Sequence, residues 1–358
     1  MVRSGWKVSG MKTRLACLLL SALGLLALGV VGLGVVGLAQ ESGIIRVDVR
    51  LVRILATVKD RNGVLVGSLN KEDFQVSDNG APQQIAVFER QTDQPLSVAL
   101  LIDNSGSTAK DLKYEVDSVT RFTKALLREG NPEDAVALYS FNWEIVRHNG
   151  YTRNVAAIDR SLRLLKGEAG TSLYDAILLA ARDIQDRPGR KILVVVTDGG
   201  DTVSKTDFNR ATEAAQLADA VIYPILVVPI TNEAGRNVGG ENALTTFADR
   251  TGGRVFAPTL GLAMDQAFDQ ILRDLRTQYL LGYYPKDTPL TADRFHSIRV
   301  SVENPQLHVV ARSGYYGEAR TEGTPAYSGS STGPAGTVTN DETVRPPKPP
   351  PTKKAKGP

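Results

Sequence analysis

Ile192-Leu193-Val194-Val195-Val196 carries five apolar residues with no polar break. A strand with one face in water alternates; a strand that reads like this one is covered on both faces. That single feature asks for a parallel sheet with helices above and below it. The surrounding chain supplies the parts. Strand-like runs at Ser97–Asp103, Ala135–Phe141, Ile192–Thr197, Val221–Val228 and Arg254–Phe256 alternate with helical periodicity at Asp111–Arg128, Ala156–Leu165, Ser172–Asp186, Asp207–Ala218, Glu241–Thr251 and Leu262–Leu275. Such alternation predicts an α/β fold, a doubly wound and mostly parallel sheet. The segment Glu144–His148 follows its neighbour by a short turn, so it is predicted as an antiparallel edge strand, because a parallel partner needs a long crossover.

The flanks read differently. Residues 44–94 form an N-terminal β segment: Val47, Val49 and Leu51 alternate with Arg46, Asp48 and Arg50, and Asn62-Gly63 and Asn79-Gly80 are hairpin signals. Strand patterning returns over 278–316, at Tyr279–Tyr284, Ser297–Val302 and Leu307–Ala311. Fewer than fifty residues make a poor core alone. The two flanks are therefore expected to pair into one small β-sandwich around the inserted α/β domain, residues 95–277.

The first forty residues set the compartment. Arg3, Lys7, Lys12 and Arg14 precede 25 uncharged residues, Leu15 to Ala39, and Gly37 and Ala39 give a small-x-small pattern before Gln40. The run is a signal peptide or, at 25 residues, an inner-membrane anchor through residues 15–39. Both readings export the rest to the periplasm, the cell envelope or beyond. The one cysteine, Cys17, lies inside that run, which excludes disulfides, thiolate metal sites and thiol nucleophiles from the folded part. A net charge of +3 gives no case for nucleic acid as a partner. From 317 to 358 the chain is rich in Gly, Ser, Thr, Pro and Lys and cannot bury a core. That tail is expected to be a solvated terminus or a tether drawn to anionic envelope polymers.

Chemistry is concentrated in three loops. Asp103-Asn104-Ser105-Gly106-Ser107 ends one buried strand; Gly170-Thr171-Ser172 enters a helix; Thr197-Asp198-Gly199 ends a second buried strand. Ligands of open α/β sheets bind beyond the carboxyl ends of the strands, where strand order reverses. Asp103 and Asp198 are expected at adjacent strand ends there. Taken alone, Asp-x-Ser-x-Ser is common turn chemistry, Ser107 and Thr171 suit helix caps, and Asp175 and Asp201 suit surface or capping roles.

Together, Asp103, Ser105, Ser107, Thr171 and Asp198 resemble the metal-ion-dependent adhesion site of von Willebrand factor A domains, with a likeness running over about residues 95–277. The flanks, with Asp73-Phe74-x-Val76-x-Asp78-Asn79-Gly80, Leu281-Gly282-Tyr283-Tyr284 and Ser313-Gly314-Tyr315-Tyr316, resemble VWFA-related proteins of acidobacterial type. The resemblance implies a Mg²⁺ (or Mn²⁺) site in which Ser105 and Ser107 coordinate directly. It implies that Thr171 joins when ligand binds and that Asp103 and Asp198 act mostly through water. The implied partner is a protein with an exposed Asp or Glu, and the implied role is adhesion-type binding rather than catalysis. The alternative is an envelope scaffold with a vestigial site. No Gly-x-Gly-x-x-Gly follows the first strand, and His148, His296 and His308 are scattered, so dinucleotide and Ser-His-Asp chemistry have no footing.

Overall fold

The computed structural model describes residues 51–90, 94–106, 112–227, 237–258, 262–288 and 295–317. The apolar run 15–39, the strand start at 46–50, Ser107 and the tail from 318 lie outside the described residues.

Five strands form the central sheet: β5 (Leu96–Asp103), β6 (Ala135–Phe141), β7 (Ile145–Thr152), β8 (Arg190–Thr197) and β9 (Ala220–Leu226), in the order β7-β6-β5-β8-β9. β5 runs parallel to both β6 and β8, β8 is parallel to β9, and only β7 is antiparallel. The polarity of β7 follows from the short Asn142–Glu144 turn, which leaves no room for a crossover. Among the described residues six helices cover the sheet: α1 (Leu112–Glu129), α2 (Val155–Leu162), α3 (Leu173–Ile184), α4 (Phe208–Leu217), α5 (Val238–Thr251) and α6 (Leu262–Thr277).

Alternate residues of each strand feed two separate cores. Val98, Leu100 and Ile102 of β5 join Ile192, Val194 and Val196 of β8 against α1, α2 and α6. Ala99 and Leu101 join Leu193 and Val195 against α3, α4 and α5. The uninterrupted apolar run of β8 is thus explained: every side chain has a helix layer to enter, and full burial of each contributes about 1.5–3 kcal/mol. Arg254–Phe256 forms no strand. Phe256 makes one bridge to Ile225, through Phe256 N to Pro224 O at 2.9 Å and Leu226 N to Phe256 O at 2.7 Å. That bridge ends the ladder beside the edge strand.

The flanking segments form two four-stranded sheets. One is ordered β12-β1-β10-β4, from β1 (Val52–Lys59), β4 (Ile85–Glu89), β10 (Tyr279–Tyr283) and β12 (His308–Ala311). The other is β13-β11-β2-β3, from β2 (Phe74–Asp78), β3 (Ala81–Gln83), β11 (Phe295–Val302) and β13 (Gly314–Tyr316). Their facing side chains share one core: Val52, Ile54, Ala56, Tyr279, Leu281 and Tyr283 from the first sheet, and Phe74, Val76 and Ile298 from the second.

Two buried polar knots hold the sandwich. Asp78, fully buried, accepts the hydroxyls of Tyr283 (2.8 Å) and Tyr315 (2.9 Å) and pairs with His296 Nδ1 at 3.0 Å. The two Gly-Tyr-Tyr motifs therefore converge on one carboxylate from different sheets. In the second knot the Tyr279 hydroxyl accepts from Leu69 N at 3.0 Å and donates to Val66 O at 2.8 Å, tying the 66–69 loop to the core. Removing a hydroxyl that satisfies two backbone groups costs about 1–3 kcal/mol. Tyr279→Phe is expected to lower the unfolding free energy by that amount, seen as a lower urea midpoint with an unchanged m-value in equilibrium unfolding.

Candidate functional site

The central sheet presents the carboxyl ends of β5 and β8 side by side. Ile102 pairs with Val196, so Asp103 ends β5 beside Thr197, and Asp198 follows at once. The side chains complete the link. Thr197 Oγ1 donates to Asp103 Oδ2 at 2.6 Å and accepts from Gly199 N at 3.1 Å. Ser105 N donates to Asp103 Oδ1 at 2.8 Å, which curls the loop back over the strand end.

Hydrogen bonds stitch the three loops together. Asn104 Nδ2 donates to Lys166 O at 2.7 Å, Glu168 N donates to Asn104 O at 3.0 Å, and Ser105 bridges Glu168. Thr171 is held from the other side: its N–H donates to Thr202 Oγ1 at 2.9 Å, and its carbonyl accepts from Thr202 N at 2.8 Å. The first turn of α3 is capped from a distance. Asp201 accepts from Tyr174 N (3.1 Å) and from Ser204 Oγ (2.6 Å), while the Asp175 carboxylate accepts Lys205 N and Thr206 N, both at 2.9 Å. Asp175 and Asp201 are thus occupied in holding the 201–206 loop against the helix start.

Gly199 and Gly240 allow the close approach at the rim. Gly199 has φ +93°, and a Cβ on Gly240 would stand 1.5 Å from Gly199 O. Around this crevice Asp103, Ser105 and Thr171 are buried and Asp198 is half-buried. Ser107 lies outside the described residues. Thr197 belongs to the strand-end Thr-Asp-Gly but has no place among the five candidate ligands read from the sequence. Its only sequence signal is a hydroxyl ending a buried strand directly before Asp-Gly.

Residues 98–201 match the family model of the von Willebrand factor type A domain. The five-stranded sheet with helices on both faces is the fold of that domain. Among solved structures, the vWF domain of the type V pili tip protein Mfa5 from Porphyromonas gingivalis is 16% identical with a TM-score of 0.43, the match covering 56% of this chain and 99% of that one. Against the three N-terminal domains of the same tip protein, identity is 19% and the TM-score 0.29, covering 43% of this chain and 27% of that one. An aerotolerance-related membrane protein from Bacteroides fragilis NCTC 9343 is 19% identical with a TM-score of 0.38, covering 50% of this chain and 98% of that one. No curated protein matches the chain.

The electrostatics of the type A crevice centre on Asp103. Burial pushes its carboxyl up to about 6; the bonds from Thr197 and Ser105 oppose this, and the neighbouring Asp198 carboxylate adds to it. Among the described residues no group of three or more His, Cys, Asp or Glu side chains could hold a metal. The donors gathered here are instead hydroxyls with two carboxylates.

Because the folded protein binds this proton more tightly than the unfolded chain, Asp103 contributes stability below about pH 4 that is lost as pH rises through about 6. The full swing is about 3 kcal/mol. In chelator, the wild type is expected to lose stability relative to Asp103→Asn across that window, and the difference to stay flat above it. Urea unfolding at several pH values reads it.

Proposed function

We propose that the crevice holds Mg²⁺ or Mn²⁺ through Asp103, Ser105, Ser107, Thr171 and Asp198, and that the ion takes a carboxylate from an acidic side chain of a protein partner. The observation that carries this reading is the Asp103 carboxylate, fully buried beside a second carboxylate. A cation offsets the cost of holding both charges there. The donor set fits: every candidate atom is a hard oxygen, and Mg²⁺ wants six oxygens at about 2.0–2.1 Å. Both Asp103 oxygens already accept a hydrogen bond, which suits contact with the ion through water.

The same chemistry favours binding over catalysis. His148 meets Ser140 Oγ at 2.7 Å and His296 meets Asp78, so these two are engaged away from the crevice residues. The rim suits a protein. Val203, whose N–H bonds Thr171 O at 3.2 Å, is 45% exposed, and Val238, beside Asn237 at the Gly200 edge, is 60% exposed. In this proposal the protein works outside the cytoplasm, as the N-terminal run implies.

Calorimetric titration of Mg²⁺ and Mn²⁺ into the chelated protein tests the reading. One-site binding is expected, weakened at least about tenfold by Asp103→Ala and by Asp198→Ala. Thr171→Ala is expected to lose capture of an acidic peptide while keeping more of the metal affinity. A folded wild type that binds neither ion would sink the metal-dependent reading and leave a scaffold role.

A further inference from the structure

A second site lies at the opposite edge of the sheet. Arg53, Arg190, Lys191 and Arg312 line one cavity of about 30 Å³ in which Asp219 is the one lining carboxylate. These residues are far apart in sequence and come from different parts. Arg53 is on β1, Arg190 and Lys191 open β8, Asp219 precedes β9, and Arg312 follows β12. Leu280 of β10 closes the wall. Four cations facing one carboxylate leave the cavity with three excess positive charges, and that carboxylate is already engaged by Arg312 Nη1 at 2.7 Å.

Neutral acceptors explain only part of this cluster. Arg190 donates to Leu275 O near the end of α6 and to Gln94 O, and Lys191 Nζ donates to Gln185 O at 2.6 Å after α3. Cations at helix carboxyl ends are ordinary. Arg53 and Arg312 cap no helix; Arg53 reaches the Gln94 side chain, through Nη2 to Oε1 at 2.5 Å. Arg312 is nine-tenths buried, and its Nε is a buried donor with no acceptor. Burial holds the Lys191 ammonium below its usual value; Asp219 opposes that shift and Arg53 adds to it. Guanidinium forks and an ammonium around one small space are the chemistry of an oxyanion site. A space of about 30 Å³ is enough to seat one small ion.

We propose that this cavity binds a free tetrahedral oxyanion, phosphate or sulfate, held by Arg53, Lys191 and Arg312. Bound there, the ion joins β1 and the segment after β12 to the start of β8, and so clamps the sandwich to the type A domain. It lies about 25 Å along β8 from the Asp198 end, which makes it independent of the metal site.

The probes are inorganic phosphate and sulfate, titrated into the full-length protein in EDTA, with sodium chloride at matched ionic strength as the control. Saturable binding and a rise in Tm beyond that in chloride are expected. Arg53→Gln and Lys191→Gln, each removing a partly exposed side chain, are expected to weaken binding about tenfold. No binding or Tm rise beyond chloride would overturn the proposal, as would undiminished affinity in both variants. Because EDTA is present throughout, either result leaves the metal reading to be judged separately.

Discussion

β1 lies between β10 and β12, and this placement governs the whole molecule. Val52 pairs with Tyr283 and Lys59 with His308, so apart from one local bridge from Lys59 to Leu65 the strand has no ladder until the chain has passed through the entire type A domain. Loop closure on that scale is entropically costly for a flexible chain. A folded insert shortens it, because its two ends lie close: Arg190 donates to both Gln94 O and Leu275 O. The sandwich core is then completed by strands from both flanks, and neither flank holds enough apolar surface alone.

The type A crevice depends on a related economy of backbone. Three loops that are remote in sequence are tied by main-chain and hydroxyl contacts, leaving the Asp103 and Asp198 carboxylates as the charged groups among the five candidate ligands. Neutral donors around few anions leave a bound cation electrophilic, and that favours taking a further oxygen from outside. The tight glycine approach at Gly199 and Gly240 keeps this edge compact, with the Leu226 side chain packed close behind it.

The sequence was most legible where burial was complete. The apolar run of β8 and the helical periodicities placed the sheet and its two helix layers within a few residues. It was misleading at Arg254–Phe256, where three strand-like residues make a single bridge, since a pattern that short cannot tell a ladder from one contact. The β13 strand escaped notice for the same reason: Gly314–Tyr316 is too short to show a period. At the site, Asp103 and Asp198 stood out because carboxylates ending buried strands are conspicuous. Thr197 did not, because a threonine in a strand is ordinary and only its bond to Asp103 gives it a role. The basic cavity was invisible, since Arg53, Lys191 and Arg312 share no local pattern and meet only through the tertiary fold.

The entry and exit of the type A domain are themselves neighbours. Glu89 at the end of β4 pairs with Leu280 at the start of β10, so both connections leave from one antiparallel ladder. In mechanical terms the domain is a side branch. A pull applied between residues 52 and 317 is carried by the strands of the sandwich and its Asp78 knot, and the branch bears little of it. Tension along the chain is therefore borne first by the sandwich, whereas any pull on the branch itself is shared between the β4–β10 pair and the ion pairs Lys59–Asp274 and Arg312–Asp219 that tie the branch to the sandwich.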